Sequence, residues 1–410
     1  MKFFDSDLAA VITQALHPQM FMGRCSVFMR ERGVPLRIGV LKEVKAGENR
    51  VALTPGGVKT LAGDGHELFV EAGAGARCDA PDAEYQAAGA IIVPDAMAVS
   101  ENSDLLTKVK EPQPEEFDIF REGQILYSYV HSETRLPLIR TLLDKKITAI
   151  ALENVRTDDG RFPLLEPMSI IAGQYGVMIG GEYLQCRHGG RGISLVRFPG
   201  LPPAKVVVLG AGPAGESAAR TAAGLGAQVT LTELSFDKIR ELTPVLPANI
   251  KLVNASEPSV HDEILEADMV VHTTTIPPDS SYHIIPRTML PQMKRGSVIV
   301  DVTANLRGGV ESIDRYTTHA DPVWEVDGVI HYAVTNIPSA VAATASRAYE
   351  AAHLGWLRQV AAKGAKTALA ENPPLLRGLT AAEGILSWHE AGTMQQLDWM
   401  EPHKALEQMV

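Results

Sequence analysis

The stretch Gly210-Ala211-Gly212-Pro213-Ala214-Gly215 puts glycines where a chain must turn tightly and admit a phosphate. The chemistry is that of dinucleotide binding. Gly210 permits the turn, Gly212 lets backbone approach a pyrophosphate, and Gly215 lets the following helix pack on the preceding strand. Amides at the helix N-terminus, with the helix dipole behind them, then hold the phosphates. Glu233 stands 23 residues after Gly210, where a carboxylate can accept from both hydroxyls of a ribose. The same carboxylate repels a 2′-phosphate, so the pattern points to NAD rather than NADP. A G-x-G-x-x-G match alone is weak, because a packing turn can produce it. Here the context is complete. Val206-Val-Val-Leu209 is an apolar strand run leading into the turn. Ser217, Ala218, Ala219, Ala222 and Leu225 continue as a helix, and Gln228–Thr232 reads as the second strand.

The elements around this unit alternate between strand and helix. Leu36–Leu41, Glu67–Ala72, Ala90–Val93, Leu105–Val109, Gln124–Tyr129 and Ile147–Leu152 read as strands. Helical patterns open at Pro55, cover Pro81–Ala88 and cover Leu136–Lys145. Asp158-Asp-Gly is a turn and Pro163–Pro167 a proline-flanked joint, after which Met168–Leu184 reads as one long helix whose glycines suggest close packing. A second α/β run extends from Lys205 to about Val334, Val341–Val360 is helical, and the segment beyond Leu369 is punctuated by proline. This grammar predicts an α/β protein with two Rossmann-like domains, mainly parallel sheets and an interdomain cleft. The expected division is an N-terminal extension at 1–35, a discontinuous substrate domain at 36–163 plus 343–410, and an NAD-binding domain at 164–342.

Composition narrows the function further. The chain has 410 residues, 45% hydrophobic and 21% charged, enough for two sizeable cores. A net charge of −11 disfavours nucleic-acid binding, which wants a basic face. Cys25, Cys78 and Cys186 are odd in number and widely spaced, which suits a reducing, cytoplasmic setting and forms no metal pattern. No metal site and no membrane span are expected. Met1–Pro35 mixes Asp5, Asp7 and His17 into its apolar residues and does not read as a signal peptide. It is expected to be an extension, flexible or packed, with a start at Met22 or Met29 as the alternative.

Residues 36–390 resemble the alanine dehydrogenase and nicotinamide nucleotide transhydrogenase family, and its dehydrogenase branch above all. The matching blocks are Arg37-Ile-Gly-Val, Lys42-Glu, Glu48-Asn-Arg-Val-Ala-Leu-Thr-Pro55, Gly73-Ala-Gly and Lys108-Val-Lys-Glu-Pro112. His131, Pro163-Leu-Leu-Glu-Pro-Met-Ser169, Gly189-Gly-Arg-Gly, Asp301, Gly308-Gly309 and Asn336-Ile-Pro-Ser339 complete the set. The resemblance implies that Arg50 and Lys110 hold the carboxylate and carbonyl of a small amino acid or 2-keto acid. It implies that His131 is the catalytic acid/base, that Met168 lines the pocket, and that Ser169, Glu233, Lys238, Asn336 and Ile337 contact NAD. It also implies a homo-oligomer, from dimer to hexamer. Elementary chemistry agrees. A carboxylate suits the planar fork of arginine. A cation stabilises charge developing at a carbonyl. Water addition and proton transfer need a group like histidine. Taken one by one, Arg50, Lys110 and His131 would read as a surface charge, part of a charge run and a structural histidine; the matched blocks reverse that reading.

One stretch departs from the family. A second aspartate normally follows Asp301, before the glycine pair and near the substrate. Here the stretch is one residue longer and Asn305 takes that place, with Arg307 close behind. Asparagine hydrogen-bonds but carries neither charge nor proton. Asn305 therefore counts as a candidate catalytic residue and as the reason a changed substrate is an alternative to alanine. Tyr127 and Tyr129, just before His131, are further pocket candidates. Three functions compete: an NAD-dependent amino-acid dehydrogenase releasing ammonia, a transhydrogenase-type NAD(H)-binding subunit, and a catalytically silent NAD sensor.

Overall fold

Valine- and leucine-rich strand runs joined by helical crossovers assemble into two separate sheets in the computed structural model, which describes residues 35–276, 282–303 and 305–409. The extension expected before Leu36 lies, apart from Pro35, outside the described residues. The first sheet is built from β1 (Arg37–Val40), β2 (Glu67–Glu71), β3 (Ile91–Val93), β4 (Leu105–Thr107), β5 (Ile125–Ser128) and β6 (Thr148–Ala151). The second holds β7 (Lys205–Leu209), β8 (Gln228–Glu233), β9 (Ile250–Asn254), β10 (Met269–His272), β11 (Val298–Asp301), β12 (Val323–Val326) and β13 (Val329–Tyr332). Its order is β12-β13-β11-β10-β7-β8-β9, so neighbours change direction of winding at β7 and β10. That is the switch point outside which α/β sheets bind ligands.

Both sheets are parallel except at one end. In the second, β12 and β13 form an antiparallel hairpin whose turn, Asp327-Gly328, has positive φ at both residues. This is the aspartate–glycine hairpin signal that the sequence carried unread. In the first, the chain returns after Leu369 as β14 (Leu379–Ala382) and β15 (Ile385–Leu386), and β14 pairs antiparallel with β6. Proline punctuation hid these short strands; they pair with the first sheet, far away in sequence.

One helix packs into the cores of both sheets. Helix α1 (Glu166–Tyr183) places Met168 and Ile171 in the core of the first sheet and Ala172, Val177 and the adjoining Leu184 in the core of the second. Its Gly173 lies so close to α2 (Pro213–Gly224) that a Cβ there would overlap the Ala214 carbonyl oxygen. A further helix, α3 (Phe236–Leu242), follows β8 and is capped by the Ser235 hydroxyl. Helix α4 (Ala342–Lys363) runs back over the first sheet and buries Ala345, Tyr349, Leu357 and Val360 in that core.

Candidate active site

Arg50 sits in the loop between β1 and the helix that begins at Pro55. Hydrogen bonds to α4 hold that loop: Val51 N–H donates to Ser346 Oγ at 2.9 Å and Thr54 Oγ1 to Glu350 at 3.0 Å. Arg50 is 3% exposed, so its charge needs a partner. Glu48 supplies one in a two-pronged arrangement, with Nε and Nη2 each 2.6 Å from a carboxylate oxygen. Burial opposes the charge, but Glu48 raises the Arg50 pKa above its ordinary value. Nη1 approaches Met168 Sδ at 3.0 Å, which brings the two predicted substrate contacts together.

Lys108 and Lys110 look alike in sequence and differ in structure. Lys108 is fully buried, and its Nζ bonds both oxygens of Glu116 at 2.5 Å, so it is a structural cation. Lys110 makes no hydrogen bond through its ammonium group among the described residues. Burial, then the charge of Arg50, pushes its pKa down to about 8. Glu43 braces its backbone, accepting from Val109 N–H at 2.6 Å and Lys110 N–H at 3.2 Å. Next in the chain, Glu111 accepts from Lys45 at 2.6 Å and Arg135 at 2.8 Å. Burial works against the Glu111 charge, yet Lys110 and Lys45 hold its pKa down to about 2.

His131 follows β5 with φ of 45°, a left-handed conformation uncommon for a non-glycine residue. Glu153, just past β6 and 6% exposed, holds it there. One Glu153 oxygen accepts from Val130 N–H at 3.0 Å and from His131 N–H at 2.5 Å, and lies 3.7 Å from His131 Nδ1. Burial, then Lys110, lowers the His131 pKa to about 3, so the imidazole is neutral at neutral pH. Tyr129 packs its ring 6.0 Å from that of His131 and is anchored by a 2.7 Å hydrogen bond to the Leu164 carbonyl. Tyr127 is fully buried in the core of the first sheet.

The second sheet presents backbone and space instead. Gly210 has φ of 95°, and a Cβ on Gly215 would overlap the Gly210 carbonyl oxygen. A Cβ on Gly212 would meet nothing within 4 Å. That open face beside the N-terminus of α2 fits a pyrophosphate. Ala211 N–H donates to Glu233 Oε2 at 3.3 Å, which ties the acid at the end of β8 to the turn. Ser169, Pro213 and Lys238 line one cavity of about 770 Å³. Arg50 lines a different one of about 420 Å³.

The remaining candidates are held elsewhere. Asn336 Nδ2 donates at 3.0 Å, and Ser339 Oγ at 2.7 Å, to the carbonyl of Gly47, so the segment after β13 clasps the Arg50 loop. Ile337 is buried in the core of the second sheet. Asn305 Nδ2 donates at 2.7 Å to the Ile276 carbonyl, a contact on its own side of the cleft. No hydrogen bond joins it to Arg50, Lys110 or His131. The residues missed in the sequence are acids: Glu43, Glu48, Glu111 and Glu153. Glu48 lies two residues before Arg50 and was detectable. Glu153 is 22 residues from His131 and gave no local signal.

Two family models match the chain: alanine dehydrogenase/PNT, N-terminal domain, over residues 39–172, and alanine dehydrogenase/PNT, C-terminal domain, over residues 176–389. An alanine dehydrogenase of Methanococcus maripaludis is 41% identical over 369 residues, covering 90% of this chain and 99% of the relative. One of Bacillus subtilis is also 41% identical, over 371 residues and 97% of its length. Among solved structures, an L-alanine dehydrogenase superposes with a TM-score of 0.83 at 36% identity, covering 88% of this chain and 99% of that one. A transhydrogenase from Sinorhizobium meliloti gives 0.71 at 27% identity, covering 85% and 98%.

Proposed function

This chain belongs to the alanine dehydrogenase/PNT family, and from that premise we propose that it is an NAD-dependent dehydrogenase interconverting L-alanine with pyruvate and ammonium. One observation carries the reading. Burial, and after it the charge of Arg50, lowers the Lys110 pKa, and Lys110 has no hydrogen-bonded anion among the described residues. A carboxylate placed against both relieves that repulsion.

The roles follow from the geometry. Arg50, its fork fixed by Glu48, offers Nη1 to the substrate carboxylate beside Met168. Lys110 faces the carbonyl or imine group and stabilises charge developing there. Neutral His131 takes a proton from the water that attacks the imine carbon and returns one as ammonia leaves. In the reverse direction it protonates the carbinolamine oxygen. The Gly210–Gly215 turn, Glu233, Lys238, Ser169, Asn336 and Ile337 hold NAD, which supplies a hydride acceptor when bound. Asn305 supports that side through Ile276 rather than by proton transfer. On this reading residues 36–163 with 343–410 serve the substrate and 164–342 the nucleotide. No helix among the described residues is long and apolar enough to cross a membrane. The reading extends to a cytoplasmic homo-oligomer, consistent with Val196 and Phe198 standing 61% and 69% exposed.

The test is nucleotide reduction with a panel of L-amino acids, using NAD and NADP in parallel. L-Alanine with NAD is expected to give the highest kcat/KM. A different amino acid exceeding alanine about tenfold would instead favour the substrate change that Asn305 suggests. Hydride exchange between nucleotides, with no amino acid oxidised, would favour the transhydrogenase alternative.

A further inference from the structure

The β10–β11 ladder changes character at its last rung. Met269, Val270 and Val271 pair with Val298, Ile299 and Val300, and then His272 pairs with Asp301. Both are 1% exposed. Nδ1 of His272 lies 2.9 Å from Asp301 Oδ1, and Nε2 lies 2.8 Å from Thr274 Oγ1. Thr303 donates to the same Asp301 oxygen from its amide at 3.0 Å and its hydroxyl at 2.7 Å. Gly309 closes the face of the imidazole: a Cβ there would overlap the ring. A buried polar pair costs desolvation, and another valine pair would serve the ladder as well. What the pair adds is an orientation for the group at its open end.

That group is Thr274, which is only half-buried. We propose that Asp301, His272 and Thr274 form a relay that fixes the Thr274 hydroxyl as a hydrogen-bond acceptor for the cofactor ribose farther from Glu233. The proposal rests on the NAD reading above. The direction of the bonds follows from donor inventory. The Asp301 carboxylate only accepts, so Nδ1 bears the hydrogen. The tautomer that gives Nδ1–H to Asp301 leaves Nε2 as an acceptor, and the Thr274 O–H then points at it. What Thr274 turns outward is lone pairs without a hydrogen. A phosphate finds no donor there, whereas a ribose hydroxyl finds an acceptor.

The place agrees with the chemistry. Thr274 Cγ2 lies 2.6 Å from where a Cβ on Gly210 would stand, so Thr274 flanks the phosphate turn directly. Thr273 binds the same corner by donating to the carbonyls of Leu209 at 2.8 Å and Gly210 at 3.1 Å. Glu233 at the end of β8 marks the adenosine side of the turn, so the β10 side faces the second ribose.

The experiment is calorimetric titration of the full chain and its Thr274→Val variant with NAD, ADP-ribose and ADP. ADP lacks the second ribose. The variant is expected to bind NAD and ADP-ribose about tenfold more weakly and ADP unchanged. Thr274→Ser restores binding, and His272→Asn, too short to reach Thr274, shows the same selective loss. Unchanged ADP-ribose affinity in Thr274→Val overturns the proposal, as does an equal loss for ADP. Normal ADP-ribose affinity in His272→Asn overturns the relay. An unaltered chain that binds none of the three ligands overturns the NAD reading itself.

Discussion

At the carboxyl edge of the first sheet, side chains crowd together and displace one another's titration. Lys110 is pushed down to about 8, His131 to about 3 and Glu111 to about 2. At the carboxyl edge of the second, the Gly210–Gly215 turn offers amides and open space, and a Cβ on Gly212 would touch nothing. The difference matches the ligands. A substrate that must be deprotonated and hydrated needs charged groups at odds with their surroundings, and those are costly to bury. A pyrophosphate that only has to be held needs donors already fixed by a helix. The first site should therefore be inseparable from fold stability, and the second separable from it.

Arg50→Ala tests the first half and has the largest expected effect. It removes the carboxylate anchor and strands Glu48, now 2% exposed, as an unpaired buried charge. Unfolding free energy should drop by about 3–5 kcal/mol in urea titration, with turnover of alanine lost. Full stability in this variant would break the comparison. His131→Asn isolates the chemistry. Its kcat should fall by on the order of 10³-fold in steady-state assays while NADH affinity stays put.

Gly212→Ala tests the second half. NAD affinity should fall by about 10- to 100-fold because the methyl occupies the phosphate face, with the melting temperature unchanged. A lowered melting temperature would show that this site too is tied to the fold. The smallest expected effect is on pH. The lowered pKa of Lys110 means that its charge is present below about 8 and lost above it. Pyruvate affinity in the presence of NADH should weaken above that pH, at most about tenfold per unit. Lys110→Gln should bind weakly at every pH and lose the bend.

The same contrast explains what the sequence disclosed. The nucleotide unit was legible because strand, turn, helix and acid fall within Lys205–Glu233, and absent side chains at fixed spacing leave a local mark. The strand leading into the turn was legible too, since Val206–Leu209 is an unbroken apolar run. The substrate side was legible only through resemblance. Arg50, Lys110 and His131 come from three separate loops, and nothing in their spacing says that they meet. The acids that tune them, Glu43, Glu111 and Glu153, depend on burial, which a single sequence does not display. The β14–β15 hairpin escaped for a related reason: four- and two-residue strands gain their meaning from pairing with β6, more than 200 residues away.

The most direct test of the division between the two sites uses L-alanine carrying deuterium at Cα, followed through a single turnover with NAD. The account predicts that one deuterium, transferred as deuteride, reaches the reduced nicotinamide for each pyruvate formed, in the unaltered chain and, much more slowly, in His131→Asn. Deuterium appearing in solvent, or no reduction of NAD by alanine, would contradict it.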